Sequence, residues 1–140
     1  MGSTTGGADE RPARKVTLSG YGREYPWGNA WDAARCVCSV SPASATSTAT
    51  VGSIPSGASP YGCLDMAGIV WEWCADWYAE SAYITAPDLD PTGPTQGDFR
   101  VLRGGSWDSD DPDRFRCARG EGDYPDCCLN YCGFRGARTL

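Results

Sequence analysis

The chain has 140 residues, 41% of them hydrophobic, the usual size for one domain and enough apolar material for a buried core. Twelve basic residues against 18 acidic ones give a net charge of −6, which repels phosphate backbones and argues against a nucleic-acid partner. No stretch approaches the roughly 20 consecutive apolar residues that cross a bilayer, so a membrane is not an expected partner, and the opening MGSTTGGADERPARK lacks the apolar centre of a signal peptide. Localisation is otherwise not legible.

Residues 1–9 read as a flexible N-terminal segment and residues 10–140 as the domain. In residues 13–21, ARKVTLSGY, Val16 and Leu18 alternate with polar neighbours as in a half-buried first strand. Residues 22–59 turn to Gly, Pro, Ser, Thr and Ala, the composition of a long ordered loop that packs through Trp27 and Trp31. Residues 65–78, DMAGIVWEWCADWY, hold the densest aromatic run. Val70, Trp71 and Trp73 there favour a central strand, with the two indoles on one side. Pro87, Pro91, Gly93 and Pro94 break the chain before a further strand over residues 99–102. RFRCAR at 114–119 and GFRGAR at 133–138 complete the expected strands. Gly104 and Gly105 suit a sharp turn ahead of Ser106 and Trp107.

Eight cysteines stand at 36, 38, 63, 74, 117, 127, 128 and 132. The even count suits one or two disulfides, and free thiols are the alternative; neighbours such as Cys127 and Cys128 rarely bond each other. CVC and CCLNYC do not make the paired CxxC sets of a zinc ribbon. The aspartates at 108, 110, 111 and 113 flank Pro112, as in a solvated turn.

Four pieces in fixed order, YPWGN at 25–29, GIVWEWCADWY at 68–78, RVLRGGSW at 100–107 and GFRGAR at 133–138, with RCAR between the last two, resemble the formylglycine-generating-enzyme and sulfatase-modifying-factor superfamily. The resemblance spans residues 10–138. It implies an α+β, loop-rich C-type lectin fold with short antiparallel strands, trimmed of the helical region that follows the first strand in larger members.

In the catalytic members two cysteines follow the Gly-Gly-Ser-aromatic motif, and thiolate with copper oxidises a sulfatase cysteine. The matching segment here, DSDDPD at 108–113, has no cysteine, and a carboxylate or hydroxyl is no soft ligand for copper(I). The chain has no histidine either, which the iron-dependent relatives need. The expectation is therefore a domain that is not an enzyme and requires no cofactor.

Some members of the superfamily are the variable proteins of diversity-generating retroelements, whose ligand-contacting positions lie between GGSW and the terminal GFR. The resemblance places a candidate variable region at 104–138. Adenine-directed change of asparagine codons yields Asp, Ser, Gly, Cys, Leu, Tyr or Asn. Asp108, Ser109, Asp110, Gly122, Asp123, Cys127, Cys128, Leu129, Asn130, Tyr131 and Cys132 fall in that set, whereas Glu121 does not. Tyr124, Leu129 and Tyr131 would anchor a protein or other macromolecular ligand, and the Asp, Ser and Asn residues would set polarity. The alternatives are a divergent formylglycine-generating-type oxidase and a calcium-dependent carbohydrate-binding lectin.

The family also implies a structural calcium site, with Asp65, Gly68, Val70 and Glu72 at the matching positions, although Ile69 stands where an asparagine is usual. The competing reading pairs Glu72 with Arg103 or Arg116.

Overall fold

The computed structural model describes residues 22–42, 46–85 and 93–136, and the expected first strand at 13–21 lies outside them. Four strands form one sheet in the order β3-β2-β1-β4: β1 Trp71–Trp77, β2 Arg100–Arg103, β3 Glu121–Asp123 and β4 Cys132–Gly133. A short helix, α1 Ala82–Thr85, follows β1, and single 3-10 turns occupy Ala33–Arg35, Pro55–Gly57 and Pro112–Phe115. Among the described residues no helix is long and apolar enough to cross a membrane.

β1 is an inner strand, as its aromatic run predicts, with β2 on one side and β4 on the other. Glu72 faces Arg103 and Trp73 faces Leu102, yet the next pair is Trp77 with Arg100, so β1 carries two extra residues in an irregular stretch. Arg100 closes that stretch by lying 3.5 Å over the Trp77 ring and donating to the Ala75 carbonyl. β3 runs antiparallel to β2, whereas β4 runs parallel to β1, which makes the sheet mixed instead of wholly antiparallel.

Trp71 and Leu102 are buried at the sheet, but a larger aromatic cluster sits beside it. Tyr25, Cys36, Cys38, Ala67 and Phe115 are buried together, with Trp27, Trp31 and Ala33 packed against them. Tyr25 stacks on Trp27 at 5.5 Å, and Trp31 meets Phe115 at 5.0 Å. The 22–59 segment thus packs through Trp27 and Trp31 as expected.

Two strand expectations are corrected. In 114–119 the chain forms a 3-10 turn over Pro112–Phe115 followed by loop, because Asp111 caps it through the Asp113 N–H at 3.0 Å and Pro112 supplies the preset first position. The terminal strand is only Cys132–Gly133, with residues 137 and 138 outside the described range. β3 arises instead in GEGD, where the sequence offers neither alternation nor β-branched residues.

Gly104 and Gly105 hold φ of 96° and 70°, the left-handed conformation that favours glycine. A Cβ at Gly105 would also lie 2.6 Å from the Phe115 ring. This turn carries the chain from β2 to the first half of the candidate site.

Candidate functional site

Two segments, residues 106–110 and 124–132, are tied to neighbouring residues at the start of β1. The first, 106–110, leaves the Gly104-Gly105 turn as a small hydrogen-bonded knot. Ser106 Oγ donates to Asp108 Oδ1 at 2.5 Å, Ser109 Oγ accepts from the Ser106 N–H at 3.3 Å, and the Ser109 N–H returns to the Ser106 carbonyl at 3.1 Å. The Ser109 carbonyl accepts from both the N–H and hydroxyl of Ser39, and the Trp107 N–H is held by the Ile69 carbonyl at 3.0 Å.

The second segment runs from β3 to β4. Asp123 Oδ1 accepts from the Tyr124 N–H at 2.8 Å and from the Cys127 thiol at 3.5 Å. The Cys127 N–H reaches the Tyr124 carbonyl at 3.0 Å, and the Tyr131 carbonyl accepts from the Trp71 N–H at 2.7 Å, seating the segment on β1. Tyr124 is 54% exposed and rests on Phe99 with ring centroids 4.6 Å apart. Phe99 was not singled out in the sequence; an aromatic at the entry of β2 is the only signal that pointed to it.

Electrostatics tie the two segments together. The Cys132 thiol is pushed up to about 11, first by burial and then by the negative charges of Asp123, Cys127 and Asp108. Burial also raises the Tyr131 hydroxyl, helped by Cys132, Asp108 and Asp123. Asp108 from the first segment and Asp123 from the second therefore act on the same groups.

The sequence-predicted positions divide into three kinds. Asp108, Asp110, Tyr124, Cys128 and Asn130 are exposed, and Asp123, Cys127, Leu129, Tyr131 and Cys132 are half-buried. Ser109 is 4% exposed, its hydroxyl spent on the Ser106 knot, so it shapes the turn from inside instead of facing outward. Gly122 lies in β3 under Tyr78, where an added Cβ would stand 2.6 Å from the ring. Gly122→Asp is expected to lower stability by about 2 kcal/mol through overpacking, read as a shifted denaturation midpoint.

All eight cysteines are free thiols. Burial raises Cys36, Cys74 and Cys117 as well as Cys132, so the folded chain holds these protons more tightly than the unfolded one. The sign follows directly. Stability is intact below the ordinary thiol value of 9.0 and falls as pH rises toward the Cys132 value of about 11. Thermal melting should show a lower Tm at about pH 10 than at about pH 8, and Cys132→Ser should reduce the difference.

At the expected calcium positions, Glu72 pairs with Arg135, a partner the sequence reading did not name. Arg135 Nε donates to both carboxylate oxygens, at 3.0 and 2.7 Å, and Nη2 donates to Oε1 at 2.5 Å. Asp65 Oδ2 accepts from the Gly52 N–H at 2.7 Å, and the Gly68 carbonyl accepts from the Val70 N–H at 2.9 Å. Among the described residues no group of three or more Cys, Asp or Glu is placed to hold a metal ion.

A loop-rich α+β domain with a small sheet and a long, aromatic-packed loop is the architecture of the C-type lectin fold in its formylglycine-generating-enzyme form. Residues 4–140 match the sulfatase-modifying factor enzyme 1-like domain, and the chain belongs to that family. It is 46% identical over 95 residues to the serine/threonine-protein kinase pkn1 of Chlamydia pneumoniae, covering 66% of this chain and 15% of that protein. It is 37% identical over 130 residues to the formylglycine-generating enzyme of Streptomyces coelicolor, covering 83% of this chain and 40% of the enzyme. Among solved structures, Treponema denticola variable protein 1 superposes with a TM-score of 0.62 at 28% identity, covering 79% of this chain and 40% of the other. The chain thus spans less than half the length of each of these relatives.

This membership corrects the expectation that the domain is not an enzyme. The family includes enzymes, the Streptomyces coelicolor protein among them. The absence of cysteine from 108–113 removes one copper ligand set and does not define what else the scaffold does.

Proposed function

We propose that this chain is a ligand-binding domain that displays a diversified surface, built from residues 106–110 and 124–132, in the manner of a diversity-generating retroelement variable protein. The observation that supports the reading is that both segments are tethered beside the start of β1, 106–110 through the Trp107 N–H on the Ile69 carbonyl and 124–132 through the Tyr131 carbonyl on the Trp71 N–H. Exposed side chains there can change without disturbing the core. The likeness to Treponema denticola variable protein 1 supports it.

Tyr124 supplies a large amphipathic contact braced by Phe99, and Asp108, Asp110 and Asn130 supply exchangeable polar groups. The ligand proposed is a protein or another macromolecule. Replacing Asp110 and Asn130, both exposed, together with alanine should leave the melting temperature nearly unchanged. In the neighbouring DNA, a near-copy of the codons for 104–138, differing at adenines and beside a reverse transcriptase gene, is the expected finding; a unique copy with no such gene would remove the diversified reading.

The 37% identity to a formylglycine-generating enzyme favours a second reading, a divergent oxidase. Oxidation of a cysteine-containing sulfatase peptide by the purified chain would establish it.

A further inference from the structure

The fold family implies a calcium ion beside the start of β1, and the residues present do not fit one. Calcium takes six to eight oxygen ligands at about 2.3–2.6 Å. Here both Glu72 carboxylate oxygens already accept from Arg135, and the Asp65 carboxylate and Gly68 carbonyl are engaged by the Gly52 and Val70 N–H groups. The same guanidinium continues past Glu72: Nη1 donates to the Leu64 carbonyl at 3.1 Å and Nη2 to the Asp65 carbonyl at 3.0 Å. We infer that the Arg135 guanidinium is the resident cation of this site, replacing a divalent metal and fastening the segment after β4 to the turn before β1.

The chemistry supports the exchange. One planar fork satisfies a carboxylate and two backbone carbonyls that converge from different segments, which a metal would otherwise gather. A calcium ion at Glu72 would have to displace that fork or sit beside its positive charge. Ile69 adds a second reason. At φ 63° it holds a left-handed conformation that asparagine adopts more readily, and its side chain is buried and offers no oxygen. Its backbone is instead fixed by bonds to Val37 and Trp107. The ion pair at 72 keeps a metal from this turn, and Ile69 adds no oxygen to it.

The test is thermal melting of the full chain in millimolar calcium and in EDTA, for the wild type, Arg135→Ala, Arg135→Lys and Glu72→Gln. The wild type should melt at the same temperature in both buffers. Arg135→Ala should lose about 6 °C in EDTA, with Arg135→Lys recovering part of the loss through its charge but not its fork. A calcium-dependent rise in the wild type that Glu72→Gln abolishes would overturn the inference, as would an Arg135→Ala variant that melts with the wild type in EDTA.

Discussion

Phe115→Ala is expected to lower the unfolding free energy by about 4 kcal/mol. The ring is 1% exposed and sits at the meeting point of the 22–42 loop, the Gly104-Gly105 turn and the 112–115 turn. Trp31 lies 5.0 Å from it, and Tyr25, Trp27 and Trp31 pack on one another behind that contact. Truncation removes roughly 2–3 kcal/mol of burial and adds the cost of a cavity that stiff neighbouring indoles fill poorly. Against a total stability of about 5–15 kcal/mol, a urea titration should show a midpoint lowered by a large fraction at an unchanged slope.

Gly105→Ala should cost about 3 kcal/mol for two separable reasons. Its φ of 70° is unfavourable for an alanine by about 1–2 kcal/mol, and its new Cβ would stand 2.6 Å from the Phe115 ring. The double variant separates the causes. With Ala at 115 the ring is gone and only the conformational cost at 105 remains, so the two losses should sum to less than the singles by about 1 kcal/mol or more. Strict additivity in the measured cycle would mean that the ring and the turn do not compete for space.

Much of the scaffold was legible because it rests on residues with few other uses. WEWCADW alternates large rings and polar groups and becomes β1, and Gly104 with Gly105 becomes a turn that only glycine occupies comfortably. Trp27 and Trp31 in a segment poor in other apolar residues had to be its packing points. β3 was not legible, because three residues of GEGD are strand only through the neighbouring β2 edge, a tertiary fact. RFRCAR misled for the opposite reason. Its alternation mimics a strand, but Asp111 and Pro112 nucleate a turn first, and only Phe115 is buried.

The candidate site divides along the same line. Composition marked the polar and cysteine-rich segment, and the structure brings Asp108 to the groups around Asp123 and Cys132. What composition could not distinguish is direction: Ser109 turns inward to the Ser106 knot, and Gly122 supports Tyr78 instead of facing solvent. The Glu72 partner was likewise hidden, since Arg135 lies 63 positions away and nothing in spacing prefers it to Arg103 or Arg116.

The parallel pairing of β4 with β1 joins Trp71 to Cys132 and Glu72 to Gly133, partners far apart in the sequence. Closing so long a loop carries an entropic cost, and the 124–132 segment is seated on β1 only while that pairing is in place. A nascent or partly opened chain therefore has the side chains of the 124–132 segment but no platform to hold them. The order of the 124–132 segment is then coupled to the docking of β4, and loss of that strand should loosen the whole segment at once.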